Sequence, residues 1–169
     1  GERLGIYFLE TGSAMRASNV VYDRAHSSIS TATADEFNFD EIFADADWFH
    51  FTGITPAVSD AAIELTEAAL KAAKAHGVTV SVDLNFRKKL WSSEKAQKVM
   101  TNLMQYVDVC IGNEEDAEKV LGFKPGNTDV TSGELELAGY VDIFNQMADK
   151  FGFKYIISSL RESFSASDN

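Results

Sequence analysis

The chain has 169 residues, 45% of them apolar and 24% charged, and 15 Lys and Arg against 26 Asp and Glu leave a net charge of −11. This composition suits one water-soluble domain with a real core, and no stretch approaches the roughly 20 apolar residues that cross a bilayer. The acidic surplus opposes nucleic-acid and anionic-membrane partners, and the lone cysteine, Cys110, excludes an internal disulfide and reads as a buried inert thiol. No signal-peptide pattern is seen, so the expected location is cytoplasmic.

The first residues are strand-like. Arg3 to Leu9 and Ser18 to Arg24 are rich in aromatic and β-branched residues, with the turn-prone Thr11-Gly12-Ser13 between them. Period-2 alternation sets Gly5, Tyr7 and Leu9 on one face of the first strand, and gives Val20, Tyr22 and Arg24 one face of the second. A third short strand is expected over Ser27 to Thr31. Such a sheet is marginal alone and needs a surface to pack on.

From Phe39 the pattern changes. A short helix, Asp40 to Asp45, leads into the apolar run Trp48-Phe49-His50-Phe51-Thr52 and the loop Gly53-Ile54-Thr55-Pro56. Ser59 caps a long alanine-rich helix that Gly77 stops. Val78 to Leu84 is the next strand, Ser92 or Ser93 opens a helix to about Tyr106, and residues 107–111 form another strand. A short helix over Asn113 to Leu121, a loop over Lys124 to Glu134, a helix over Leu137 to Phe151 and a strand over Tyr155 to Leu160 complete the chain. Strands alternate with helices, and several strands are almost wholly apolar. The expected fold is α/β, a mostly parallel Rossmann-like sheet with helices on both faces.

Ligands of open parallel sheets bind beyond the carboxyl ends of the strands. Those positions hold Thr52, Gly53 and Ile54; then Asn85 and Arg87; then Gly112, Asn113, Glu114, Glu115 and Asp116; then Arg161 and Glu162. Two arginines and an amide on one edge of an acidic chain make a local trap for an anion. Each also has a plainer reading. Arg87 precedes Lys88 and Lys89 and could belong to a solvated basic loop, and Asn113 could be only a helix cap. The acidic residues after Asn113 suit the positive end of a helix, and Tyr7 and Tyr22 suit a sheet face. His50 reads as a satisfied core histidine, while His26 and His76 lack metal-site spacing. No phosphate-binding P-loop, dinucleotide glycine motif or hydrolase Gly-x-Ser-x-Gly elbow is present.

The ordered segments Gly5-Ile6-Tyr7-Phe8-Leu9-Glu10, Val20-Val21-Tyr22-Asp23-Arg24, Phe51-Thr52-Gly53-Ile54-Thr55-Pro56, Asp83-Leu84-Asn85-Phe86-Arg87 with Leu90-Trp91, Asn113-Glu114-Glu115-Asp116-Ala117 and Ser159-Leu160-Arg161-Glu162-Ser163 resemble the ribokinase-like (PfkB) carbohydrate kinases. Within them the match is strongest to the branch acting on keto-deoxy sugar acids. The resemblance implies that residues 1–32 are part of a small β-sheet lid and that 33–169 are the central part of an α/β kinase core. It implies ATP and Mg2+ as cofactors and a sugar acid as substrate, phosphorylated at a terminal hydroxyl. By the same resemblance Tyr7, Tyr22, Arg24, Ile54 and Arg87 would line the sugar. Asn85, Asn113 and Arg161 would serve nucleotide and phosphate. Asp116, one methylene shorter than the family's glutamate, would stand indirectly near the metal. A carboxylate suits the planar fork of arginine, whereas a neutral sugar offers nothing that calls for two arginines.

Two other readings stand beside this one: a kinase of another sugar such as fructose, and a non-catalytic sugar-binding or assembly module. Lid strands with open edges also allow a homodimer. The family's Gly-Ala-Gly-Asp segment, which carries the catalytic aspartate, occurs nowhere in these residues, so no catalytic residue is assigned and the chain is expected to be an internal fragment. The expected outcome of a coupled assay is therefore that this polypeptide with ATP and sugar acid releases ADP no faster than buffer. Turnover well above that background would overturn it.

Overall fold

The computed structural model describes residues 2–124 and 133–158. A two-stranded antiparallel sheet comes first, β1 (Ile6–Glu10) against β2 (Asn19–Asp23). Tyr7 stands opposite Tyr22 and Leu9 opposite Val20, which puts both tyrosines on one face as alternation requires. The third strand expected over Ser27 to Thr31 is instead a helical turn, α1 (Ser28–Thr31). His26 has a φ of 57° and breaks the extended run. The Ser27 hydroxyl then donates to the Arg24 carbonyl at 2.7 Å and the Ser30 hydroxyl to the Ser27 carbonyl at 2.8 Å. Serine hydroxyls that bond nearby backbone compete with a strand ladder.

The larger layer is a parallel sheet in the order β3 (Trp48–Thr52), β4 (Thr79–Asp83), β5 (Val109–Ile111), β6 (Tyr155–Ile157). A short helix, α2 (Phe39–Phe43), precedes β3, and α3 (Ile54–Ala57) and α4 (Asp60–Ala75) follow it. Helix α4 begins where Ser59 accepts a hydrogen bond from the Ala62 amide, and Gly77 takes the left-handed φ of 73° just past its end. Its buried stripe, Ala62, Leu65, Thr66, Ala69, Leu70 and Ala73, has helical spacing. Helix α5 (Ser93–Leu103) starts on the Ser92 cap and buries Ala96, Met100 and Leu103. Helix α6 (Glu114–Asp116) runs into a π turn, Ala117–Leu121, that ends at Gly122 with φ 80°. Helix α7 (Gly133–Phe151) starts earlier than the sequence suggests and leads into β6.

Sequential strand order has a consequence. Right-handed crossovers between neighbours that all step the same way place every connecting helix on the same side. Phe51, Val80, Val82 and Cys110 are buried on that side with Leu70, Met100, Leu103, Ile143 and Met147. The opposite face, expected to carry helices as well, shows Trp48 57%, Tyr155 67% and Ile157 51% exposed among the described residues. His50 lies on this open face, not in the core. It shares the buried Ser81 hydroxyl with Trp48: the indole Nε1 donates to Ser81 Oγ at 2.8 Å, and His50 Nδ1 lies 2.7 Å from the same oxygen. Cys110 is buried as expected, and burial pushes its thiol up to about 12, so it is inert.

Asp108 ties the start of β5 to both neighbours. Its carboxylate accepts from the Val80 amide at 2.9 Å and from the Lys74 and Lys154 ammonium groups at 3.0 Å each. Desolvation works against its charge, yet the Val80 N–H and the two lysines outweigh that and hold the carboxyl below its ordinary range. A carboxyl depressed by folding adds stability above its unfolded value, about 3.9, and loses that contribution as pH falls through its folded value. Replacing Asp108 with Asn is expected to cost about 1–2 kcal/mol in urea melts at pH 7, with the two proteins converging in acid. A gap that stays constant down to strong acid would refute this role for the charge.

Candidate functional site

The ladder sets the site. Thr52, Asp83, Ile111 and Ile157 are register partners across the sheet, so all four strands stop at one level. Gly53, Leu84, Gly112 and Ser158 stand immediately beyond. Gly53 must be glycine: its amide donates to the Asp83 carbonyl at 2.8 Å, and a Cβ there would come within 2.2 Å of the Leu84 carbonyl oxygen. The close approach lets β3 and β4 leave the sheet side by side.

Beyond this edge lies a hollow of about 880 Å³. Its walls come from β2 and Arg24 just after it, the segment after β4 and the start of α6, with Ile157 and Ser158 also in the lining. Arg24, Arg87, Lys88 and Lys89 all line it, and among the described residues none of the four has a carboxylate within salt-bridge distance. Most of the other cations are paired elsewhere, as Lys71 is with Glu67 and Lys95 with Asp60. These four cations share the concavity with three carboxylates, Asp83, Glu115 and Asp116, and are free to meet an anion. The guanidinium of Arg24 lies 3.8 Å over the Tyr22 ring centroid, a cation–π contact that fixes its direction.

A second hollow of about 280 Å³ lies between the β1–β2 sheet and α3, lined by Tyr7, Tyr22, Arg24, Ile54, Thr55 and Val58 among others. Tyr22 and Arg24 line both hollows and stand between them. The sequence-selected residues therefore sort into two groups. Tyr7 and Ile54 face the small space, while Asn85, Arg87, Asn113 and Asp116 face the large one. Arg161 lies outside the described residues.

The turn after β4 is held tightly. Asn85 has a φ of 41°, a left-handed conformation that asparagine tolerates better than most residues. Its amide nitrogen lies 3.5 Å from Thr52 Oγ1 as donor. Leu84 N–H is bound to the Ile111 carbonyl at 2.9 Å, and Phe86 N–H to Asp116 Oδ1 at 2.8 Å. Asn113 does cap its helix: its Oδ1 accepts from the Asp116 amide at 2.8 Å, and its own amide donates to Asp116 Oδ2 at 3.2 Å. That is a reciprocal capping box built on aspartate. Asp83, Glu115 and Asp116 are the hollow's carboxylates, yet among the described residues no group of three or more His, Cys, Asp or Glu could hold a metal ion.

Sequence reasoning named Lys88 and Lys89 only as neighbours that could place Arg87 in a solvated basic loop; both are exposed, and both line the large hollow. Three successive cations just after a strand-end asparagine were the available signal. Replacing Gly53 with Ala is expected to cost about 1–3 kcal/mol in denaturant melts, the range of an overpacked core, because the backbone oxygen it meets cannot swing aside. An unchanged midpoint would mean that the two strand ends part freely.

Comparison with known proteins was made with these features in hand. The pattern of the pfkB family carbohydrate kinases matches residues 1–142. The chain is 41% identical over 140 residues to a 2-dehydro-3-deoxygalactonokinase of Haloferax volcanii, covering 83% of this chain and 43% of that protein. It is 30% identical over 127 residues to a 2-dehydro-3-deoxygluconokinase of Thermoproteus tenax, covering 73% of this chain and 38% of that one. Its fold superimposes on the crystal structure of a 2-dehydro-3-deoxygluconokinase from Thermotoga maritima with a TM-score of 0.86 and 49% identity, over 98% of this chain and 48% of that one. The chain thus spans less than half the length of each.

Proposed function

The chain belongs to the pfkB family of carbohydrate kinases, and from that premise we propose that it supplies the acceptor side of an enzyme that phosphorylates 2-keto-3-deoxygluconate, or a similar sugar acid, at its terminal hydroxyl with ATP as donor. One observation carries the reading. Arg24 from the lid and Arg87 from the core line the same hollow, and among the described residues neither is paired with a carboxylate. A sugar carboxylate held between two guanidinium forks gains charge-assisted hydrogen bonds that a neutral sugar cannot offer.

In this reading Tyr7, Tyr22 and Ile54 hold the carbon chain in the small hollow under the lid. Arg24, standing between the two spaces, grips the carboxylate together with Arg87. Asn85 and Asn113 lie on the phosphate side, with Lys88 and Lys89 adding positive charge, and Arg161 is assigned to the nucleotide. Transfer forms a bond from the sugar oxygen to the γ-phosphorus and breaks the bond to the bridging oxygen of ADP. Such transfer rests on positioning and on neutralising charge. The base that takes the hydroxyl proton is assigned to none of these 169 residues. Mg2+ fits as the triphosphate's companion, supplying charge neutralisation when bound. Asp83 and Glu115 are the other carboxylates in the hollow's lining, and Asp116 would act only indirectly.

Use of a nucleoside triphosphate supports a cytoplasmic location, and no helix among the described residues is long and apolar enough to cross a membrane. The exposed Ile6, Phe8 and Val21 on the lid's other face support pairing of two lids as a homodimer.

Calorimetry on the chain tests the substrate class. Replacing Arg24 with Ala is expected to weaken binding of 2-keto-3-deoxygluconate by about ten- to a hundredfold, the worth of a charged hydrogen bond, and binding of fructose by less than about twofold. Equal losses for both sugars would favour a kinase of a neutral sugar.

A further inference from the structure

We propose that Asp116 is the positioning residue for Arg87: it fixes the backbone from which that arginine projects, and does not ligate a divalent cation. The inference rests on the substrate reading above only in what Arg87 is positioned to hold.

Three observations carry it. First, the carboxylate is committed on both sides. Oδ1 accepts the Phe86 amide at 2.8 Å and Oδ2 the Asn113 amide at 3.2 Å, while the Asp116 amide is bound back to Asn113 Oδ1 at 2.8 Å. Rotating the side chain toward a cation in the hollow would break both acceptor bonds and strand a nearly buried carboxylate that is 9% exposed. Second, the segment it holds needs holding. Asn85 sits at φ 41°, and a residue in that region costs of order 1–3 kcal/mol unless its surroundings enforce it. The Leu84 amide fixes one side of Asn85 and the Phe86 amide the other, and the second anchor is Asp116. Arg87 is the next residue, one φ/ψ pair from the anchored amide, and its own carbonyl is held by the Leu90 amide at 2.8 Å. Third, the short side chain matters. Aspartate reaches its own helix cap and the facing turn at once, which ties α6 to the segment after β4 across thirty positions of sequence. A glutamate can close a capping box too, but its oxygens, one methylene further out, would not keep the same reach to the Phe86 amide.

The charge makes this latch strong, since an amide bound to a carboxylate is held more tightly than one bound to a neutral oxygen. It also keeps a negative group away from the anion: both oxygens face backbone donors, so the carboxylate's field is partly neutralised where Arg87 receives its ligand.

The test uses isotope-labelled chain in solution, wild type against Asp116→Ala, Asp116→Asn and Asp116→Glu. In Asp116→Ala, exchange of the Phe86 amide with solvent is expected to quicken by about tenfold or more, matching one lost buried hydrogen bond, with Val82 in β4 unchanged. The Arg87 Nε resonance should shift, and affinity for 2-keto-3-deoxygluconate should fall about tenfold while that for fructose changes less than twofold. A merely structural role would weaken both sugars alike and leave Arg87 unmoved relative to other arginines. Millimolar Mg2+ alone should leave the Asp116 carboxyl carbon unshifted in wild type. If the alanine variant fails to fold, Asp116→Asn, which keeps one acceptor oxygen, should give intermediate exchange at Phe86. Phe86 exchange unaltered in the folded variants, or a saturable Mg2+ shift at the Asp116 carboxyl, would overturn the proposal. Should the wild-type chain bind no sugar acid, the substrate reading fails by itself, and the Phe86 and Arg87 signals still decide the latch.

Discussion

Four parallel strands that end at a single level impose everything that happens above them. Because Thr52, Asp83, Ile111 and Ile157 are bonded neighbours, the residues that follow have no choice but to share one edge. The contact between Gly53 and the Leu84 carbonyl is the narrowest point of that constraint. Sequence positions as distant as 24, 87 and 113 therefore meet around one space. Four cations without an ion-pair partner among the described residues, Arg24, Arg87, Lys88 and Lys89, gather there.

Much of this organisation was legible in the residues. Ser59 and Gly77 bracket their helix because capping is a local event, and the period of buried alanines and leucines between them needs no tertiary knowledge. Tyr7 and Tyr22 share a face because side chains alternate along strands. What could not be read depended on distant partners. Ser27 to Thr31 has strand-forming composition, but its hydroxyls found carbonyls close by and curled it into a turn. His50 alternates like a core residue, yet which side of a sheet receives helices is decided by strand order, not by any one strand's pattern. Asp116 reads as a helix-start acid, and nothing in its own segment reveals that the Phe86 amide lies against it. Lys88 and Lys89 were hidden by their company, since runs of lysine usually face water.

The two sheets contribute different chemistry to the two hollows. The antiparallel ribbon contributes aromatic surface and a guanidinium braced by the Tyr22 ring, whereas the parallel layer contributes amides, lysines and a second guanidinium on a rigid turn. A ligand spanning both spaces would join two layers that are otherwise linked mainly through α1 packed on α4. Arg24 is placed so that one side chain feels both compartments.

The two indoles of the molecule report on opposite environments. Trp91 is 6% exposed and its Nε1 has no hydrogen-bond partner, while Trp48 lies 57% exposed on the open sheet face with its N–H on Ser81. Intrinsic fluorescence from this chain is consequently a mixture of a blue emitter and a red one. Anything that comes to rest on the uncovered sheet dries the second indole and narrows the spectrum, so the protein carries its own optical gauge of whether that surface is wet.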